Sequence, residues 1–342
     1  MRKHCVRLLG ITVTFILALI SMPRADAQTI LFGSTGNLNS NGGGRLYRID
    51  VTTQSVVLIG NTGFDRLGGI AFNNNGILYG VSGGSSGQGT LLTIDTTNGT
   101  ATVIGLISDP NLGVDGLRFN SQGVLYGSAF DAINGVGVLV TIDPSNANIL
   151  SSLTLIGSGN SFCAGIAFDS AEVLYGSRGN SAGHLEDLDL IDQVTGEMTP
   201  IGPMDTIVIS DIVFAADGTL YGSSPTGDLF SINPVTGAKT LLFNTGITQL
   251  SGLAAAPAAT LHAHGRRVQA KQTVDLTWSP VTSANIDIYR NGVVIVTVPN
   301  TGAYKDFIGV RGGNARYIYK VCDAGTQDCS NQVTVRFGAP PL

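Results

Sequence analysis

Short apolar segments separated by clusters of Gly, Asn, Asp and Ser run through almost the whole chain, and no helical hydrophobic period is present beyond the first residues. Apolar and polar positions alternating with period two, bounded by turn residues, predict strands, so an all-β protein is expected. The segments also repeat. Leu-Tyr-Gly stands at Leu78-Tyr79-Gly80, Leu125-Tyr126-Gly127, Leu174-Tyr175-Gly176 and Leu220-Tyr221-Gly222, with spacings of 47, 49 and 46, and Leu31-Phe32-Gly33 extends the series back by 47. Before each copy lies a short apolar run: Gly69-Ile70-Ala71-Phe72, Gly116-Leu117-Arg118-Phe119, Gly165-Ile166-Ala167-Phe168, Asp211-Ile212-Val213-Phe214 and the weaker Gly252-Leu253-Ala254-Ala255. After each copy come a strand ending in Ile-Asp or Ile-Asn and a strand ending in Ile-Gly or Phe-Asn.

Four short strands per period of about 47 residues describe the blade of a β-propeller. The turn chemistry agrees: Asp192-Gln193-Val194-Thr195-Gly196 and Asn233-Pro234-Val235-Thr236-Gly237 offer an Asx cap and a Gly able to take positive φ. The chain enters the repeat at its second strand, Ile30 to Ser34, and leaves it after a first strand, Ser251 to Ala255. Pairing the two ends would build the closing blade and remove an open sheet edge. Five blades are therefore expected, the closing one made of residues 251–255 and 30–60. Residues 29–257 resemble secreted bacterial propellers of the NHL and YVTN kind, a resemblance that specifies the fold but leaves function open. The lyases of that family use a catalytic His, which has no counterpart in these blades.

Beyond the small-residue linker Ala254 to Ala259 the repeat stops. Val274 to Trp278, Ile286 to Arg290, Val293 to Val298 and Ala315 to Val321 alternate as strands of a small sandwich. Leu276-Thr277-Trp278, Tyr289-Arg290-Asn291-Gly292 and Tyr317 to Cys322 resemble a fibronectin type III domain. The resemblance implies that Trp278 and Tyr319 are core residues and that the module acts as a spacer or accessory. The expected organisation is a signal peptide at 1–27, a propeller at 28–257 and a sandwich at 258–342.

The first 27 residues join a basic start (Arg2, Lys3, Arg7), an apolar run from Leu8 to Ile20 and a small-residue site at Ala25-Asp26-Ala27, which predicts secretion to the periplasm or beyond. No later segment reads as a membrane span. Loss of Arg2, Lys3, Arg7, Arg24 and Asp26 moves the formal charge from −5 to −8. Such a surface disfavours nucleic acid and anionic lipid and leaves a glycan, a protein, a cell-surface polymer or a cation as partner. The chain itself is expected to be a monomer. Cys322 and Cys329 read as a disulfide in an oxidising compartment, and Cys163 as a buried small apolar residue.

Propeller ligands sit where the central channel opens. Loops entering the innermost strands supply Asp65, Arg66, Asp109, Asn160, Asp205 and Gln249, with Asp115 and Asp211 at the strand entrances. Converging carboxylates suit Ca²⁺ or a sugar, and the plain alternative is solvated acids and turn caps. No catalytic residue is assigned: His184 lies in a loop-like stretch and Cys163 lacks a base. The reading is a secreted, non-enzymatic binding scaffold. The alternative is a polysaccharide-active hydrolase or lyase using a carboxylate pair such as Asp109 and Asp205.

Overall fold

A computed structural model describes residues 29–36, 43–83, 88–157, 162–179, 186–204, 207–257, 259–279, 283–325 and 329–338. The expected signal segment, His184, Asn160 and Asp205 lie outside the described residues. The remainder is all-β. The first blade uses β1 (Ile30–Thr35), β2 (Arg45–Asp50) and β3 (Ser55–Asn61); the second uses β4 (Ile70–Phe72), β5 (Leu78–Ser82), β6 (Thr90–Ile94) and β7 (Ala101–Leu106). The third consists of β8 (Leu112–Phe119), β9 (Leu125–Asp131), β10 (Val136–Ile142) and β11 (Ile149–Thr154), and the fourth of β12 (Cys163–Phe168), β13 (Leu174–Gly179), β14 (Glu186–Ile191) and β15 (Met198–Pro203). The fifth holds β16 (Asp211–Phe214), β17 (Leu220–Ser223), β18 (Asp228–Ile232) and β19 (Lys239–Asn244), after which β20 (Leu250–Ala255) returns to the first.

Each blade is a four-stranded antiparallel sheet, and the first has the order β20-β1-β2-β3. Leu31 lies opposite Ala255 and Gly33 opposite Leu253, so the two ends of the repeat region complete one sheet. The innermost strands touch in the cyclic order β20, β4, β8, β12, β16 and back to β20. The architecture is a β-propeller.

Close approach of these strands explains the recurrent glycine at their start. A Cβ on Gly252 would stand 2.3 Å from the Gly68 carbonyl oxygen, and one on Gly165 would stand 2.5 Å from Asp211 Oδ1. Serines from the second strands stitch the same layer. Gly252 N–H donates to Ser34 Oγ at 3.0 Å, and that hydroxyl donates to the Gly68 carbonyl of the next blade at 2.8 Å. Apolar side chains fill the space between blades, and one edge-to-face aromatic pair lies across each of four junctions: Phe32–Phe72, Tyr79–Phe119, Tyr126–Phe168 and Tyr175–Phe214, with centroids 5.1 to 5.4 Å apart. The outer turns carry their Asx caps: Asp192 Oδ1 accepts from Val194 N–H at 2.7 Å and Thr195 N–H at 2.8 Å. Those bonds, led by the one from Thr195, hold the Asp192 carboxyl below its usual range.

After the linker come β21 (Thr260–Val268), β22 (Lys271–Ser279), β23 (Asn285–Arg290), β24 (Val293–Pro299), β25 (Ala303–Arg311), β26 (Ala315–Asp323) and β27 (Val333–Phe337). They form two sheets, β21-β22-β25 and β24-β23-β26-β27, which share one core containing Leu276, Trp278, Ile288, Tyr319 and Val335. The Trp278 indole donates to Asn300 Oδ1 at 2.7 Å and the Tyr319 hydroxyl to Asp306 Oδ2 at 2.6 Å, so both large rings bury without an orphaned polar atom. Asn291 and Gly292, with φ of 52° and 81°, make the tight turn between β23 and β24. Cys322 and Cys329 form the disulfide, and Cys163 is a free, buried thiol. Three strands, β21, β25 and β27, are absent from the sequence reading. In β25 the large apolar Phe307 and Val310 point to solvent, 68% and 49% exposed, which inverts the expected alternation.

Candidate functional site

At the first inward position of the innermost strands four blades have glycine, Gly69, Gly116, Gly165 and Gly252, and the fifth has Asp211. Two residues on, four have Ala71, Ala167, Val213 and Ala254, while the third has Arg118. Both departures meet on the axis. Innermost strands are sheet edges, so their outward carbonyls lack a strand partner. Arg118 Nε donates to Ile166 O at 2.9 Å, Nη1 to Leu253 O at 3.1 Å and Ile70 O at 3.5 Å, and Nη2 to Ile212 O at 2.7 Å and Asp211 Oδ1 at 3.2 Å. All five guanidinium donors are used, and the four carbonyls come from the same repeat position in the four other blades.

Asp211 is 1% exposed. Beyond Arg118 it accepts from Ile212 N–H and Leu253 N–H, both at 2.8 Å. Burial pushes its carboxyl up to about 7, against the pull of Arg118 and those two amides. Burial also lowers the Arg118 guanidinium, with Asp211 opposing it. An ion pair with every donor and each carboxylate oxygen engaged is a plug for the channel, and Asp211 faces the interior where the sequence reading set it at the ligand-facing channel mouth.

Of the other residues singled out by sequence, Arg66 and Asp115 are brought together at 3.5 Å. Asp65 is exposed. Asp109 is occupied by its own loop, accepting from Asn111 N–H at 2.9 Å and Asn111 Nδ2 at 3.1 Å. Among the described residues no group of three or more His, Cys, Asp or Glu side chains is gathered to hold a metal ion.

Near the same loop face, the fourth blade buries a second charged cluster. Arg178 Nε donates to Asp189 Oδ2 at 2.7 Å, and Nη2 donates to Asp189 Oδ1 at 3.2 Å and Asp187 Oδ2 at 2.9 Å. Asp189, 0% exposed, takes the repeat position held by Tyr47, Leu92, Val140 and Phe230 elsewhere. The Cys163 thiol lies near it and is pushed well up by burial and then by Asp189, so it is no nucleophile. Glu186 is 6% exposed, and its Oε2 has no hydrogen-bond partner among the described residues. Burial raises the Glu186 carboxyl to about 7, while the Ile209 N–H and Lys239 pull the other way.

The opposite face, formed by the tight turns, holds two cavities. A cleft of 650 Å³ lies between the fourth and fifth blades, lined by Phe168, Asp169, Tyr175, Phe214, Asp217 and Ala255, with Pro257 of the linker at its rim. A second cavity of 200 Å³ below Arg118 shares Phe168, Phe214, Ala255 and Pro257 with it. Ala255, which lines both cavities, marks a break in the aromatic series. At the fifth junction Tyr221 packs in a cluster with Ala255, where the repeat puts Phe in the other blades. Polar groups flank the aromatics: Asp169 accepts from Ala171 N–H and Val173 N–H, both at 2.9 Å, and from the Tyr175 hydroxyl, which burial and Asp169 together push up. Asp217 Oδ1 takes the Thr219 N–H at 2.9 Å. The signal for this cleft was present in the repeat, as the single Ala among Phe72, Phe119, Phe168 and Phe214.

Among solved structures, the fold is similar to a chain of a nidogen/laminin complex at 12% identity and TM-score 0.47, over 67% of this chain and 98% of that one. It is also similar to a gluconolactonase from Xanthomonas campestris (12% identity, TM-score 0.39, 67% and 75% covered) and to a candidate 6-phosphogluconolactonase from Bacteroides fragilis (11%, 0.39, 91% and 95%). These are likenesses of propeller fold. No family model and no curated protein matches the chain.

Proposed function

We propose that this chain is a secreted, non-catalytic glycan-binding scaffold: a five-bladed propeller that takes a saccharide in its turn-face cleft and carries a fibronectin type III-like module as a spacer. The carrying observation is the break in the ring of aromatic pairs at Ala255, beside which a 650 Å³ cleft opens. That volume falls within the size range of small-ligand sites. The aromatic rings Phe168, Tyr175 and Phe214 that line it offer π surface to the C–H groups of a sugar, and Asp169, Asp217 and Ser170 suit its hydroxyls. The sheet order β21-β22-β25 against β24-β23-β26-β27 supports the fibronectin type III reading of the second module. A disulfide, together with the absence of any membrane-crossing helix among the described residues, fits an extracellular or periplasmic site of action.

The test is glycan-array screening of the full chain, followed by calorimetry on the best saccharide and on the Ala255→Phe variant. Ala255→Phe restores the repeat residue and fills the cleft, so affinity falls at least tenfold while the fold is kept. Undiminished affinity in that variant moves the site elsewhere. Product release from a polysaccharide, lost on Asp109→Asn, would instead favour the hydrolase or lyase reading.

A further inference from the structure

We propose that His262 and His264 form a solvent-open, two-imidazole chelate for a late first-row divalent ion such as Cu²⁺ or Zn²⁺, completed by water or by a donor from outside the chain. Both lie on β21, the edge strand of the three-stranded sheet. The strand's burial alternates from exposed Thr260 through buried Leu261 to exposed His262, half-buried Ala263 and exposed His264. Side chains two apart on a strand project from one face, with their origins about 6.6 Å apart at about 3.3 Å per residue. Two imidazoles at that spacing converge on one ion at metal–nitrogen distances of about 2.0–2.1 Å by rotation about their side-chain bonds. Neither ring has a hydrogen-bond partner among the described residues, so no existing contact must break.

The surroundings favour this metal class. A cleft of 440 Å³ is lined by His262, His264, Asp275, Thr277 and Asn331, which leaves room for water or an external ligand. His264 lies directly across from Asp275, and His262 from Thr277. Asp275 is already bridged by Arg266 and by Lys305 at 3.6 Å, so its carboxylate is committed to those cations rather than to a metal ion. With imidazole ligands and no free carboxylate, the site selects Cu²⁺, Ni²⁺ or Zn²⁺ over the oxygen-seeking Ca²⁺.

The experiment is titration of the tag-free full chain with Cu²⁺, read by electron paramagnetic resonance, and with Zn²⁺, read by calorimetry. The expected result is one saturable ion per chain with hyperfine structure from two nitrogens. His262→Ala and His264→Ala each lower affinity at least tenfold, and the double variant abolishes the site with the thermal midpoint unchanged. Either of two results overturns the proposal: single-variant affinities equal to the parent, or full occupancy retained in the double variant. Absence of saturable binding at millimolar metal does the same.

Discussion

Arg118 and Arg178 are both buried and both paired with Asp, yet they differ in what they hold. Arg118 donates to the four other blades of the ring, while Arg178 donates from Nε and Nη2 to Asp189 and Asp187 on β14 of its own sheet. The axial pair therefore couples elements distant in sequence, and the fourth-blade pair couples two adjacent strands. A buried charge is costly without full compensation, and breaking a pair costs more than the pair's net worth. The same chemistry thus has a global consequence at the axis and a local one in the blade.

The largest effect is expected from Arg118→Ala, which strands Asp211 and four edge carbonyls. The propeller should lose about 4 kcal/mol by urea denaturation, and hydrogen exchange should accelerate on all five innermost strands. Pairing it with Asp211→Gly, which restores the glycine of the other blades, should cost less than the two single losses combined. Simple additivity would show that the two residues are not coupled.

Arg178→Ala should come next, at about 2–3 kcal/mol, with faster exchange confined to β13 and β14. Exchange spreading to the other blades would erase the contrast. Glu186 sharpens it further through pH. Its folded value is raised, so its contribution to stability is whole below about 4.5 and is lost as pH climbs through about 7. Glu186→Gln should flatten the decline in thermal midpoint between pH 5 and pH 7.5, leaving pH 4.5 nearly unchanged. The smallest effect belongs to Ala255→Phe, whose ring enters an open cleft rather than a packed core, so its stability change should stay within about 0.5 kcal/mol.

Much of the ring was legible because the Leu-Tyr-Gly series marks each second strand and the phase of the repeat tells which strands must meet. Local chemistry was equally readable: Asn291-Gly292 can serve as a tight turn, and the fibronectin type III resemblance set Trp278 and Tyr319 in a core, where both are buried. What escaped reading depends on closure. That Arg118 faces the axis follows only once five strands surround it, although its departure from Ala71, Ala167, Val213 and Ala254 was visible. Asp211 was visible too, but a carboxylate at a strand entrance reads as exposed until the opposing guanidinium is placed. In the sandwich, β21 hid because His, Gly and Arg interrupt its alternation.

The joining of the two ends of the repeat region in one sheet has a mechanical consequence. Because β20 both completes the first blade and leads directly into the sandwich, tension applied to the second module runs straight into the ring's closing seam. The seam is held at Leu253, whose carbonyl is gripped by Arg118 and whose N–H is gripped by Asp211. A pull on the module is thus resisted by the plug at the centre of the propeller, and the axis serves as the anchor point of the tether.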